Sequence, residues 1–114
     1  MSKFMYLFWS RGDALSQASP EEMQRLMQAW MKWLDSLRAA GHLAQTGERL
    51  ERSGKRVQGK AKLVTDGPYA EAKDTIGGYL IVDAKDLEQA VELAKGCPVF
   101  ELDGSVEVRP ILKP

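Results

Sequence analysis

Between Ser19 and Gly41 the chain carries a long helical pattern whose apolar stripe is too wide to be left in water. Ser19 stands as N-cap, Pro20 takes the first helical position, and Glu22 follows three residues after the cap, the spacing of a capping box. Met23, Met27, Trp30, Leu34 and Leu37 recur at intervals of four and three, with Leu26, Met31 and Trp33 widening the stripe. Such a face must lie against a sheet, and the excess at Met31 and Trp33 is available to a second subunit. Gly41 ends the helix.

The remaining elements follow from shorter signals. Lys3–Trp9 is a compact apolar and aromatic run stopped by Ser10-Arg11-Gly12-Asp13, and it reads as a first strand. Leu43 to Arg52 is weaker, and Ser53-Gly54-Lys55 is expected to turn a hairpin into a strand ending at Thr65. Asp66-Gly67-Pro68 then forms a turn: Gly67 opens φ values closed to other residues, Pro68 fixes φ near −65°, and Asp66 can bond the backbone ahead of it. Ala70–Thr75 is expected to form a helical turn, and Ile76–Val82 the most apolar strand. Gly77-Gly78 weakens that strand and marks a close approach of a ligand or of another backbone.

A second helix starts near Asp86, with Gln89 three residues on and Leu87, Ala90, Val91 and Ala94 on one face; Gly96 and Pro98 terminate it. Ser105–Arg109 alternates Val106 and Val108 inward with Glu107 and Arg109 outward. Two helices over one face of a mainly antiparallel sheet is the α+β solution for this order. The other sheet face needs a cover, which homodimerisation supplies.

Length allows one domain, residues 1–114, with one modest core. Sixteen basic and sixteen acidic residues cancel, which argues against direct nucleic-acid binding. No stretch approaches the roughly 20 apolar residues a membrane span needs, and Met1–Trp9 reads as a strand rather than a signal peptide. The one cysteine, Cys97, has no disulfide partner or metal-ligand spacing, and the cytoplasm is the expected compartment. There is no phosphate loop, Walker motif or zinc spacing, so no cofactor and no metal are expected.

The run from Asp66 to Asp74, Asp-Gly-Pro-Tyr-Ala-Glu-Ala-Lys-Asp, followed by Gly77-Gly78-Tyr79, resembles the DGPF-type branch of the YCII-related proteins. Tyr69 stands where that branch has Phe, Ala72 where Thr is common and Asp74 where Glu is frequent. Cys97-Pro98 and the run Ser105-Val106-Glu107-Val108-Arg109-Pro110 are similar to that family too, so the resemblance spans nearly the whole chain. It implies a ferredoxin-like fold that pairs into a dimeric α+β barrel. In another branch of the family, a histidine inside the first helix and an aspartate near its end look like a catalytic pair. Counting back from Gly41, Trp30 and Ala39 hold those places, so this chain lacks the dyad.

Asp66 either caps its own turn or serves as general base or ligand anchor. Glu71, Lys73 and Asp74 are pocket-wall candidates or an exposed ion-paired connection, and Tyr69 is a ligand-contact candidate beside them. Arg109 could grip a carboxylate or phosphate bidentately, or pair with a neighbouring acid. His42, the one histidine, either interacts with the helix C-terminus or replaces the missing base. Trp9, Trp30, Trp33, Tyr69 and Tyr79 line a cavity or pack the core. Cys97 reads as a buried inert thiol.

Two functions follow. One is a homodimeric domain binding a small ligand near Asp66, Lys73 and Arg109, or a weak or vestigial enzyme. The other, implied by the resemblance, is an adaptor module working with extracytoplasmic-function sigma factors.

Overall fold

The computed structural model describes residues 1–11, 17–67 and 74–113. The elements run β1 (Ser2–Arg11), α1 (Pro20–Ala39), β2 (Leu43–Gln45), β3 (Gly54–Gln58), β4 (Leu63–Gly67), β5 (Asp74–Ala84), α2 (Leu87–Ala94), a 3₁₀ helix (Pro98–Leu102) and β6 (Ser105–Pro110). Four strands form an antiparallel sheet in the order β2-β5-β1-β6, and β3 and β4 form a separate two-stranded ribbon. Set the ribbon aside and the order is βαββαβ, the ferredoxin-like arrangement, with both helices packed on one face.

Alternation along the two central strands makes that face. Phe4, Tyr6 and Phe8 of β1 and Leu80, Val82 and Ala84 of β5 are buried, and Val106 and Val108 of β6 pack against them as expected. β1 and β5 pair from Ser2–Ala84 to Arg11–Asp74, with one register shift after Phe8.

Local chemistry sets the helix ends. The Ser19 side chain accepts from the Glu22 amide at 3.1 Å, and Asp86 does the same for Gln89 at 2.9 Å. Gly41, at φ +78°, closes α1: its amide donates to the Arg38 carbonyl and that of His42 to Leu37, the paired bonds of a Schellman motif.

Three expectations change. Gly54 and Lys55 belong to β3 rather than to a turn, and the reversal falls at residues 59–62, where Gly59 (φ +73°) and Lys62 (φ +56°) take the left-handed conformations it needs. Asp66 and Gly67 complete β4 rather than a turn, while 70–73 of the expected helical turn lie outside the described residues and Asp74-Thr75 are already strand. The buried line of α1 is Leu26, Trp33 and Leu37, so Trp33 faces the core and not a second subunit. The reason is specific: its Nε1 donates to the Leu93 carbonyl at 3.1 Å, and its ring stacks on Tyr6 at 6.1 Å.

Tyr6 is fully buried and its hydroxyl donates to the Ala90 carbonyl, tying the central strand to α2. Tyr6→Phe keeps the ring and deletes that bond. It should lower stability by about 1 kcal/mol and the melting temperature by several degrees, read by thermal and urea unfolding. An unchanged melt would show that the bond adds nothing.

Candidate functional site

A cavity of about 320 Å³ opens between α1, residues 46–49 and the sheet. The helix lines it with Met23, Leu26, Met27, Trp30, Met31 and Leu34. Phe8, Ser10 and the Gly77–Leu80 stretch come from the sheet, and Val99 and Leu102 come from the 3₁₀ helix. Rotation of α1 to bury Trp33 is what leaves Met27 and Met31 uncovered here, 57% and 63% exposed. Methionines on such a wall can follow the shape of an apolar guest.

Gly77 and Gly78 set the cavity's rim. The Leu50 amide donates to the Gly77 carbonyl at 2.8 Å and the Tyr79 amide to the Glu48 carbonyl at 3.2 Å, which straps residues 48–50 to β5 around an Arg49–Gly78 bridge. A Cβ at Gly78 would stand 3.0 Å from the Glu48 carbonyl oxygen, so the strap comes this close because no side chain is there. The close approach expected at this glycine pair is therefore that of another backbone. Gly47 (φ +64°) is tighter still: a Cβ would fall 1.9 Å from the Tyr79 carbonyl oxygen.

Trp30, at the helix position where the family resemblance places a histidine, packs edge-on against Phe8 at 5.0 Å and Trp33 at 5.5 Å. It puts an indole on the cavity wall instead of an acid–base group. Ala39, at the other dyad position, is the exposed last residue of α1.

The polar residues singled out from the sequence lie elsewhere. Asp66 is on the ribbon, its side chain 89% exposed, and it accepts from Lys55 Nζ at 2.6 Å; it is ion-paired across the strands. Arg109 is exposed on β6 and donates to Glu107 at 3.3 Å, while Glu107 also accepts from Trp9 Nε1 at 2.8 Å. His42 is half-buried, with Nδ1 2.7 Å from the Asp83 carbonyl oxygen. A carbonyl can only accept, so Nδ1 carries the proton. With the Asp83 amide donating back to the His42 carbonyl at 2.7 Å, this residue pins the end of α1 to β5. Asp66, His42 and Arg109 sit on separate elements and none lines the cavity. Tyr69, Glu71 and Lys73 lie outside the described residues. Of the expected aromatics Trp9, Trp30, Trp33 and Tyr79, Trp30 and Tyr79 border the cavity.

Cys97 is 3% exposed, and burial pushes its thiol up to about 12, the amide of Val99 donating to its sulfur only partly offsetting this. That is the opposite of an activated nucleophile. Among the described residues no cluster of three or more His, Cys, Asp or Glu could hold a metal ion, and no helix is long and apolar enough to cross a membrane.

A family model described as "YCII-related domain" matches residues 3–113. An uncharacterised protein of Rhizobium meliloti (strain 1021) is 36% identical over 50 residues, 43% of this chain; that match covers 40% of the relative's length. Among solved structures, the 5-chloro-2-hydroxyhydroquinone dehydrochlorinase of Burkholderia phenoliruptrix AC1100, in complex with 2,5-dihydroxybenzoquinone, aligns over 96% of this chain and 95% of its own at 14% identity, with a TM-score of 0.44.

Two outcomes test this geometry. Gly41→Ala introduces left-handed strain with open space around it and should cost about 1 kcal/mol, whereas Gly47→Ala adds a backbone clash and should cost upward of about 2 kcal/mol. Equal losses in urea unfolding would remove the strap's special status. For Cys97, the folded chain holds the neutral thiol above the ordinary value of 9.0, so its contribution to stability is complete below pH 9 and is lost as pH rises towards 12. Iodoacetamide at pH 8 should label the native protein more than about tenfold more slowly than the urea-unfolded chain, by mass spectrometry. Equal rates would contradict the burial.

Proposed function

The chain belongs to the YCII-related domain family, and from that premise we propose that it is a small-molecule-binding domain whose site is the cavity between α1 and β5. One observation carries the reading: a mostly apolar hollow of about 320 Å³, walled by methionines and Trp30 and furnished with few polar groups. This is the usual composition of a small-molecule site, at the lower end of the usual size. It suits a compact one- or two-ring apolar or aromatic ligand.

Among the described residues, the cavity's ionisable lining residues are Glu48, Arg49 and Tyr79, with no histidine or cysteine. Binding is accordingly the primary role, and any catalysis is weak. The proposal includes a homodimer. Met5, Leu7 and Trp9 of β1 and Ile81 of β5 alternate with the buried residues and form an apolar stripe on the sheet face away from both helices, beside the Lys3–Asp83 and Arg109–Glu107 pairs. A second copy would cover it.

Isothermal titration against one- and two-ring aromatic compounds tests the cavity. Met27, largely exposed yet lining it, should tolerate Lys, and Met27→Lys should weaken binding by about tenfold. Asp66→Ala, which removes an exposed ion pair on the ribbon, should leave affinity unchanged. No binding by any compound, or loss of binding in the Asp66 variant alone, would sink the reading. Sedimentation equilibrium should return twice the chain mass of 12.7 kDa; a monomer would remove the dimer and leave the cavity standing.

A further inference from the structure

Resting on that reading of the cavity, we propose that Arg49 makes it selective for ring compounds bearing one carboxylate. Phe8 faces α1 and lies opposite Gly78 on β5, and Gly78 in turn lies opposite Arg49 of the strap. The two strap bonds, Leu50 amide to Gly77 carbonyl and Tyr79 amide to Glu48 carbonyl, flank the Arg49–Gly78 pair rather than joining it. It is therefore a non-hydrogen-bonded antiparallel pair, in which directly opposed side chains share one face and stand closest. Arg49 leaves the strap on the face that carries Phe8 and the cavity, and it lines the cavity together with its neighbour Glu48, whose main-chain carbonyl is held by the Tyr79 amide.

Gly78 has no side chain to occupy the position opposite, so the aliphatic stem of Arg49 can lie along the rim with its guanidinium at the mouth. Among the described residues Arg49 has no ion-pair partner, unlike Lys55, Arg38 and Arg109, each of which has a carboxylate within 3.3 Å. An unengaged guanidinium beside apolar walls suits a carboxylate, which it can hold by two parallel bonds while the ring enters between Trp30 and the methionines. Among the described residues, Ser10, Thr46 and Tyr79 are the hydroxyl-bearing residues of the lining, donors for the second carboxylate oxygen.

The test compares 1-naphthoate with 1-naphthalenemethanol, two-ring probes of similar size that differ in charge, by titration calorimetry on the wild type, Arg49→Gln and Arg49→Lys. The wild type should bind naphthoate about tenfold more tightly than the alcohol. That preference should fall towards one in R49Q, be partly kept in R49K, and shrink in the wild type at high salt. Circular dichroism melts establish that the variants are folded. If the alcohol binds and naphthoate binds no better, or if R49Q keeps the preference, the assignment to Arg49 is overturned and the apolar cavity stands. If neither probe binds the wild type, the cavity reading falls and this inference with it.

Discussion

Trp33 is the side chain that three elements share. Its ring stacks on Tyr6 of β1, its Nε1 donates to the Leu93 carbonyl at the end of α2, and Gly96 passes so close that a Cβ there would lie 3.0 Å from the indole. A buried indole needs a partner for its N–H, and that demand fixes the rotation of α1 about its axis. The Tyr6 hydroxyl, donating to Ala90, makes the same demand from the strand. Once both are met, α1 turns Leu26, Trp33 and Leu37 to the core, and its methionines fall beyond the edge of the packed layer. The cavity is thus a consequence of how the core is satisfied.

The second determinant is the absence of side chains at the rim. Antiparallel strands tolerate glycine poorly, and two in succession in the most apolar strand weaken it. Here the loss is offset by what approaches: residues 48–50 bond to β5 through main-chain groups, and Gly47 crosses the Tyr79 carbonyl in a left-handed conformation at a distance that leaves no room for a side chain. The strap extends the sheet beyond the three residues of β2 and gives the cavity a wall from Thr46 to Arg49. Such a wall presents polar groups at fixed positions while leaving room for a ring.

Much of this was readable in advance. Both helices, their caps, the terminating glycine at 41 and the inward pair Val106 and Val108 came from spacing and cap chemistry, which act locally. What local rules could not fix was anything decided by a distant partner. The stripe on α1 was wide enough for more than one buried line, and only the Leu93 carbonyl, 60 residues away, selects the one through Trp33. Asp66 looked like a turn former because of Gly67 and Pro68, but cross-strand pairing with Lys55 keeps it in β4. The polar candidates drew notice by chemical type, whereas the cavity is built from methionines and glycines, whose signal was only the stripe and the Gly-Gly pair. Arg49 sits in the stretch where the periodicity was weakest.

Composition hides one further property. The chain has sixteen residues of each charge, yet from Arg49 to Lys62 six basic residues stand against Glu51 alone. That stretch holds the end of the strap and most of the ribbon, every residue of β3 is exposed, and Val57, Leu63 and Val64 are exposed beside the cations. Among the described residues no ion pair engages Arg56, Lys60 or Lys62, while Lys55 is neutralised by Asp66. The rest of the chain must carry the compensating acidic excess, so the molecule is polar in the electrostatic sense although it is neutral in sum. Exposed charges act over about 8 Å at physiological salt, so Arg56, Lys60 and Lys62 give the exposed ribbon a positive local potential of its own.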